Sequence, residues 1–447
     1  MEEPMPKRKK NVVLISLDDA FSFWRYKDLF GIQLQTPNLD RICARSTAFH
    51  AAYCQSPLCG PSRASFMSGK PPPQTGVYGN RTKAFEVMEP SSMWQCRLKD
   101  DGYYCSSGGK VHHGFKPLPK DIHDILYSDE PKRFPIDLKL RKSIAQSSNG
   151  GNGGGISNID PEDDSRYYDA HSSKSFVDFL ESYDREEPFY REVGFFSPHS
   201  PFITPTRFKQ MYNITDFHYP EAWKNEFHRS PTADKVVRKN FKTGHRRNWR
   251  KSVRNYFSAF SHGDYHLGTV WDALMASPHA DNTVVIILTD HGHHLGENGR
   301  FGKSTLYEQS ALVPLIIYDP DHAQPRTVRE PVALLDVGPT VLEYAGLPIR
   351  PDFLGRSLRS VVYGETANPD RAVGTFNTHG ASIRKGKFRF VRYNDGTKEL
   401  YNIADDWWQQ KNLGSEHPEF AALEQAHAEL CSTHGLGFDQ DGNGTRL

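Results

Sequence analysis

Residues 11–19 read NVVLISLDD. A continuous apolar run that stops at two adjacent aspartates is the pattern of a central strand in a parallel sheet. Such a strand is buried on both faces and delivers polar residues at its carboxyl end. The pattern returns in DNTVVIILTDHG (281–292), where Val284–Leu288 lead into Asp290 and His291. PFYREVGFFSPHSPF (188–202) is a third run, ending at Ser197 and His199, and ALVPLIIYDP (311–320) is a fourth. Open α/β sheets bind ligands outside the carboxyl ends of their strands. Three ends carrying Asp-Asp, Asp-His and Ser-Pro-His are therefore predicted to meet at one rim.

Helical spacing falls between these runs, in TPNLDRICARS (36–46), SKSFVDFLESY (173–183), HGDYHLGTVWDALMAS (262–277) and LLDVGPTVLEYAGLP (334–348). The glycine-rich SSNGGNGGGISN (147–158) reads as a surface loop. The basic run HRRNWRKSVRNYF (245–257) reads either as a solvated helix face or as a wall that attracts anions. After residue 355 the pattern changes. RAVGTFN, ASIRKGKFRFVRYNDG and KELYNI alternate as antiparallel strands do, with Asn394-Asp395-Gly396 as a tight turn. The expectation is an α/β fold: a large mixed, mostly parallel sheet sandwiched by helices over 1–355, then a smaller subdomain of antiparallel strands and a helix over 356–447.

The 447 residues suffice for a substantial core. A net charge of +1 gives no pull toward nucleic acid or an anionic membrane. No run is long enough to span a bilayer. The start, MEEPMPKRKKNVVLISLDDA, does not read as a secretory signal, so a cytoplasmic protein is expected. The six cysteines are irregularly spaced and none forms a zinc-knuckle pair, which favours free thiols.

Two adjacent carboxylates at a strand end repel each other unless a cation lies between them or they cap a helix. Asp18 and Asp19 leave both readings open. Asp290 and His291 at an equivalent position favour a hard cation such as Ca2+ or Mg2+, with Mn2+ admitted by the histidine. DHGHHLGENGRFGKSTLYE (290–308) is dense in His and Gly and ends a loop at Lys303. GGKVHHGF (108–115) offers Lys110, His112 and His113, and SPHSPF offers His199. Together they suit an anion. In PLCGPSRASFMSGK (57–70), Cys59 precedes a helix-start pattern at Pro61-Ser62 and stands near Arg63. A thiol so placed is expected to have a depressed pKa.

The run Cys59, Pro61, Ser62, Arg63, Ser68-Gly69 resembles the type I sulfatase signature, in which the cysteine is oxidised to formylglycine. Asp18-Asp19, TPNLDRI, GKVHH, SPHSPF, DHG with the later LGENG and lysine, and DVGPTVLEYAGLP follow in the family's order. GKVHH and SPHSPF are most similar to the iduronate-2-sulfatase-like branch. The resemblance implies an alkaline-phosphatase-like fold and cleavage of a small-molecule or oligosaccharide sulfate ester. It implies Asp18, Asp19, Asp290 and His291 as ligands of Ca2+ (Mg2+ or Mn2+ also fitting). Cys59 would be the nucleophile precursor, matured by a formylglycine-generating enzyme, and Arg63 its support. Lys110, His113, His199 and Lys303 would serve the sulfate and the leaving oxygen. One departure is Ser197, where related sequences often carry lysine. His379 and Arg384 are expected to contact substrate from the C-terminal strands. A phosphonate or phosphodiester hydrolase of the same superfamily is the alternative, and a non-catalytic carbohydrate-binding relative a third reading.

Overall fold

The computed structural model describes residues 9–135, 164–237, 239–240, 246–438 and 444–446. The segment 147–158 lies outside them. The four apolar runs are strands: β1 (Asn11–Leu17), β4 (Phe189–Gly194), β5 (Thr283–Thr289) and β8 (Leu312–Tyr318), every residue of each buried. They join β2 (Thr47–Tyr53), β3 (Tyr104–Gly109), β9 (Arg326–Val328) and β10 (Val332–Ala333) in one sheet of order β10-β2-β8-β5-β1-β4-β3, with β9 beside β2. β1 pairs in parallel with both β4 and β5, and β4 in parallel with β3. β8 runs antiparallel to β2 and β5, which makes the sheet mixed. Because β1, β4 and β5 are parallel neighbours, their polar carboxyl ends open at one edge.

The long helix Arg246–Ala276 covers one face and takes up the basic run from Arg246 onward. Trp249, Val253, Tyr256 and Phe257 recur at helical spacing and are buried in the same core as Val13, Ile15, Val285 and Ile287. Arg250 turns outward and donates from Nε to the carbonyl of Phe217 (2.8 Å). The other face of β1 and β5 packs with Phe66, Trp94, Val337 and Val341 in a second core. The helix Cys59–Ser68 thus lies beneath the sheet, wholly buried.

The antiparallel strands β11 (Val373–Asn377), β12 (Gly380–Lys385), β13 (Phe388–Tyr393) and β14 (Lys398–Asn402) form a separate sheet in chain order, backed by the helix Phe420–Thr433. The predicted turn stands, with Asp395 Oδ1 accepting the Thr397 amide (3.0 Å). β11 is fastened to the chain that leads to Cys59. Phe376 N–H donates to Gln55 O (2.9 Å), and Thr375 Oγ1 donates to Cys54 O (2.8 Å). No helix among the described residues is long and apolar enough to cross a membrane.

Candidate active site

The end of β1 bends sharply. Asp19 adopts φ 65°, left-handed backbone that costs a non-glycine residue about 1–3 kcal/mol. Partners from two other elements hold it there. Its amide donates to Asp290 Oδ1 (3.1 Å), and its carbonyl accepts the Tyr256 hydroxyl (2.6 Å). Tyr256 Oη in turn accepts the Phe21 amide (3.0 Å). Asp290, at the end of β5, accepts Arg63 Nε at Oδ2 (3.0 Å), and its carbonyl accepts Ser62 Oγ (2.5 Å). The first turn of the Cys59–Ser68 helix is thereby locked to the end of β5.

Cys59 is the first residue of that helix and is buried. Its Sγ lies 3.0 Å from Lys303 Nζ, 3.3 Å from His291 Nε2 and 3.9 Å from Asp19 Oδ1. The depressed thiol pKa expected from the helix start is not found. Burial pushes the thiol up to about 12; Lys303 opposes this, while Asp290 and Asp19 add to it. The carboxylates come from distant strands, so local sequence could not reveal them.

Cations and imidazoles line the same rim. Lys303 Nζ also donates to Asp19 Oδ1, and Lys110 Nζ to Asp18 Oδ2. Burial opposes the charge on Lys303, but Asp19 and its neighbours hold it above its ordinary value, so it stays cationic. The Lys110 ammonium lies over Phe115 and Phe196, 5.2 and 5.8 Å from the ring centres. Arg63 is buried and also donates through Nη1 to the carbonyls of Lys110 (2.6 Å) and Val111 (2.8 Å), which fixes the Lys110 loop. His199 Nε2 is 3.8 Å from Asp19 Oδ2, and burial holds its pKa down at about 3. His113 is exposed at the mouth, where a Cβ on Gly60 would stand 3.5 Å from its ring. His112 points away, its Nε2 2.9 Å from Tyr127 Oη. Of the two histidines, His113 is the one beside the helix start.

The carboxylates are arranged for a cation. Burial raises Asp19, yet His199, Lys303 and His291 hold it well below the ordinary range; Asp290 is likewise held low against burial by His291 and Arg63. Asp18 Oδ1 is fully buried with no hydrogen-bond partner among the described residues, an acceptor that a cation would satisfy. Donor atoms of Asp18, Cys59, Asp290 and His291 lie within 4.8 Å of one another, as do those of Asp18, Asp19, Cys59 and His199. Three anionic carboxylates with one imidazole fit a hard divalent cation.

His379 is exposed on the β11–β12 turn. Asn377, the last residue of β11, donates from Nδ2 to Ser304 O (3.2 Å), beside Lys303. Arg384 does not join the cleft. Its Nε lies 3.5 Å from Glu308 Oε1, and its Nη1 donates to the carbonyl of Gly386. Three supporting residues escaped the sequence reading. Tyr256 braces Asp19 from within the basic run. Asp169 accepts the amides of Phe196 (2.6 Å) and Ser197 (2.9 Å), holding the loop of His199. His293, buried and stacked on Tyr256, places Nδ1 3.7 Å from Asp19 Oδ2. The histidine density of its loop was the only signal for it.

An acidic cradle rimmed by lysines and imidazoles, at the carboxyl edge of a mixed α/β sheet, defines an enzyme built around an anionic ester. The sulfatase family profile matches residues 10–347, and the profile described as N-sulphoglucosamine sulphohydrolase, C-terminal, matches residues 296–433. Among curated relatives, a sulfatase of Formosa agariphila is 29% identical over 98% of this chain and 89% of its own. A choline-sulfatase of Rhizobium meliloti is 29% identical over 93% and 84%, and the iduronate 2-sulfatase of Mus musculus 27% identical over 76% and 69%. Among solved structures, one in complex with its substrate D-glucosamine-2-N,6-O-disulfate superposes with TM-score 0.75 at 20% identity, covering 96% of this chain and 98% of that one. The phosphonate monoester hydrolase of Agrobacterium radiobacter superposes with TM-score 0.75 at 19% identity, covering 98% and 99%. The chain belongs to the sulfatase family, and its activity is that of a sulfuric ester hydrolase.

Proposed function

We propose that the protein hydrolyses an organic sulfate monoester, with a sulfated sugar as the substrate class. Cys59 is the precursor of formylglycine, and Asp18, Asp19, Asp290 and His291 hold a divalent cation, Ca2+ foremost. The observation that carries this reading is the convergence of Lys303 Nζ and His291 Nε2 on Cys59 Sγ. Support for a sugar comes from relatives named for iduronate and from a neighbour bound to a glucosamine disulfate. The choline-sulfatase relative keeps a smaller alcohol in view.

When present, the hydrated aldehyde supplies an oxygen nucleophile that can later expel sulfate, and the cation supplies Lewis-acid charge. The chain's own groups do the rest. Lys110 and Lys303, paired here with Asp18 and Asp19, offer a bound sulfate two ammonium partners. They offset the charge that develops on its oxygens. His199 stands as a neutral imidazole in this setting; it takes up a proton as the anionic sulfate enters and gives that proton to the leaving oxygen. His113 closes the mouth, and Arg63 keeps Asp290 and the Lys110 loop in register. His379 faces the remainder of the substrate from the second sheet.

The test has two parts. Mass spectrometry of the peptide containing Cys59, from protein matured by a formylglycine-generating enzyme, should find an aldehyde in place of the thiol. The same protein should then show a higher kcat/KM on an aryl sulfate than on an aryl phosphonate or phosphodiester. Preference for the phosphorus esters in fully converted protein would move the assignment to the superfamily alternative.

A further inference from the structure

Outside the cleft, His262 and His266 stand one turn apart on the Arg246–Ala276 helix, and Asp164 meets them from the segment before the Tyr168–Ser182 helix. Both imidazoles are buried. His262 Nε2 lies 3.0 Å from His266 Nε2 and 3.2 Å from Asp164 Oδ1, and the third side, His266 Nε2 to Asp164 Oδ1, is 3.9 Å. Tetrahedral zinc with bonds of about 2.0–2.1 Å separates its ligand atoms by roughly 3.3 Å. The three atoms are spaced as one face of such a tetrahedron.

Hydrogen bonding and ion pairing orient two of the three donors, His266 and Asp164, for this purpose. Ser173 Oγ gives its proton to the carbonyl of Ala170 (3.1 Å), so its oxygen accepts from His266 Nδ1–H (3.1 Å). In the neutral ring this leaves His266 Nε2 bare and aimed into the triangle, the arrangement that an outer partner imposes on a metal-bound histidine. Arg207 pairs with Asp164 Oδ2, leaving Oδ1 turned to the imidazoles. Two imidazoles and one carboxylate suit zinc rather than the hard cation of the cleft.

We propose that Asp164, His262 and His266 form a structural Zn2+ site, with water as the fourth ligand. The site would join the long helix to the start of the Tyr168–Ser182 helix, whose Asp169 holds the His199 loop. Gly263, beside His262, packs on that same loop: a Cβ there would lie 3.1 Å from Ser197 Cβ. The ion would therefore brace the support of a cleft residue without touching the cleft.

The test uses full-length protein stripped with a chelator and then saturated with Ca2+ to fill the carboxylate cradle. Titrated with Zn2+ and desalted, the wild type should retain one equivalent by elemental analysis. With Co2+ as probe it should develop the intense visible bands of a tetrahedral site. His262→Gln and His266→Gln should lose that equivalent while keeping Ca2+ binding, and Asp164→Asn should bind Zn2+ at least about tenfold more weakly. Equal Zn2+ retention in wild type and a folded histidine variant would overturn the site. So would a wild type with no tetrahedral Co2+ bands, which decides the matter even where the variants fail to fold.

Discussion

Lys303 Nζ lies 3.0 Å from Cys59 Sγ while also donating to Asp19, so one ammonium spans the sulfur and the acidic cradle. The thiol beside it is nonetheless pushed up to about 12, because burial and two carboxylates outweigh the lysine. The sulfur as encoded is a poor nucleophile in this setting. Lys303, together with a cation held between the carboxylates, would stabilise an oxygen nucleophile at this position.

Cys59→Ala should therefore remove turnover, by a factor on the order of 10^6 as for loss of a covalent nucleophile. It should leave the melting transition cooperative, because the helix is anchored through Ser62 and Arg63. The comparison is kcat on an aryl sulfate alongside a thermal melt. A variant with near-normal turnover would show that residue 59 takes no part in the reaction.

Metal removal should act on stability as well as activity. Asp18, Asp19 and Asp290 are buried together, and Asp18 Oδ1 has no hydrogen-bond partner among the described residues, with Arg63 Nη2 3.9 Å away. Ca2+ at about a hundred times its Kd should stabilise chelator-treated protein by about 2.7 kcal/mol and restore turnover. Asp18→Asn should abolish most of that stabilisation. Thermal melts with and without Ca2+ make the measurement, and an unchanged melt in the wild type would deny the cradle a cation.

The strands that bring the candidate site together were legible because each is an apolar run ending in polar residues, and parallel pairing brings those ends together. β2 and β3, reading TAFHAAY and YCSSGG, gave no such signal; most of their small and polar residues are buried by neighbours that only the sheet supplies. Local reasoning also misjudged Cys59. A helix start argues for a stabilised thiolate, but the opposing carboxylates arrive from residues 40 positions before and 231 positions after it in the chain. Arg384 was visible as a cation on an alternating strand, yet nothing in that pattern foretold the buried Glu308 that engages it.

Tyr256→Phe tests how far the bend at Asp19 depends on a residue from the long helix. The change strands the Asp19 carbonyl and the Phe21 amide, both buried, at a cost of about 1–3 kcal/mol. It should also weaken Ca2+ binding by about tenfold, since Asp19 loses the brace on its backbone. Calorimetric titration with Ca2+ and a denaturant midpoint read the two effects separately. A loss of stability with unchanged Ca2+ affinity would confine Tyr256 to packing.

Glu192 offers a pH-dependent test of the interior next to the Lys110–His113 loop. Its carboxyl accepts Tyr127 Oη (2.5 Å) and Tyr190 Oη (2.8 Å), and Tyr127 Oη in turn faces His112 Nε2. Burial pushes Glu192 up from 4.5 to about 7, against the two hydroxyls and Arg191, which favour the charged form. Between those values the folded protein holds a proton that the unfolded chain has released. Stability from this group is thus full below about pH 4.5, falls as pH rises, and is lost above about pH 7. Glu192→Gln has no proton to lose. The stability of the wild type relative to this variant should fall by a few kcal/mol between about pH 5 and about pH 8. Urea midpoints at the two pH values measure the difference, and a pH-independent offset would mean that Glu192 is ionised in the folded protein across the whole range.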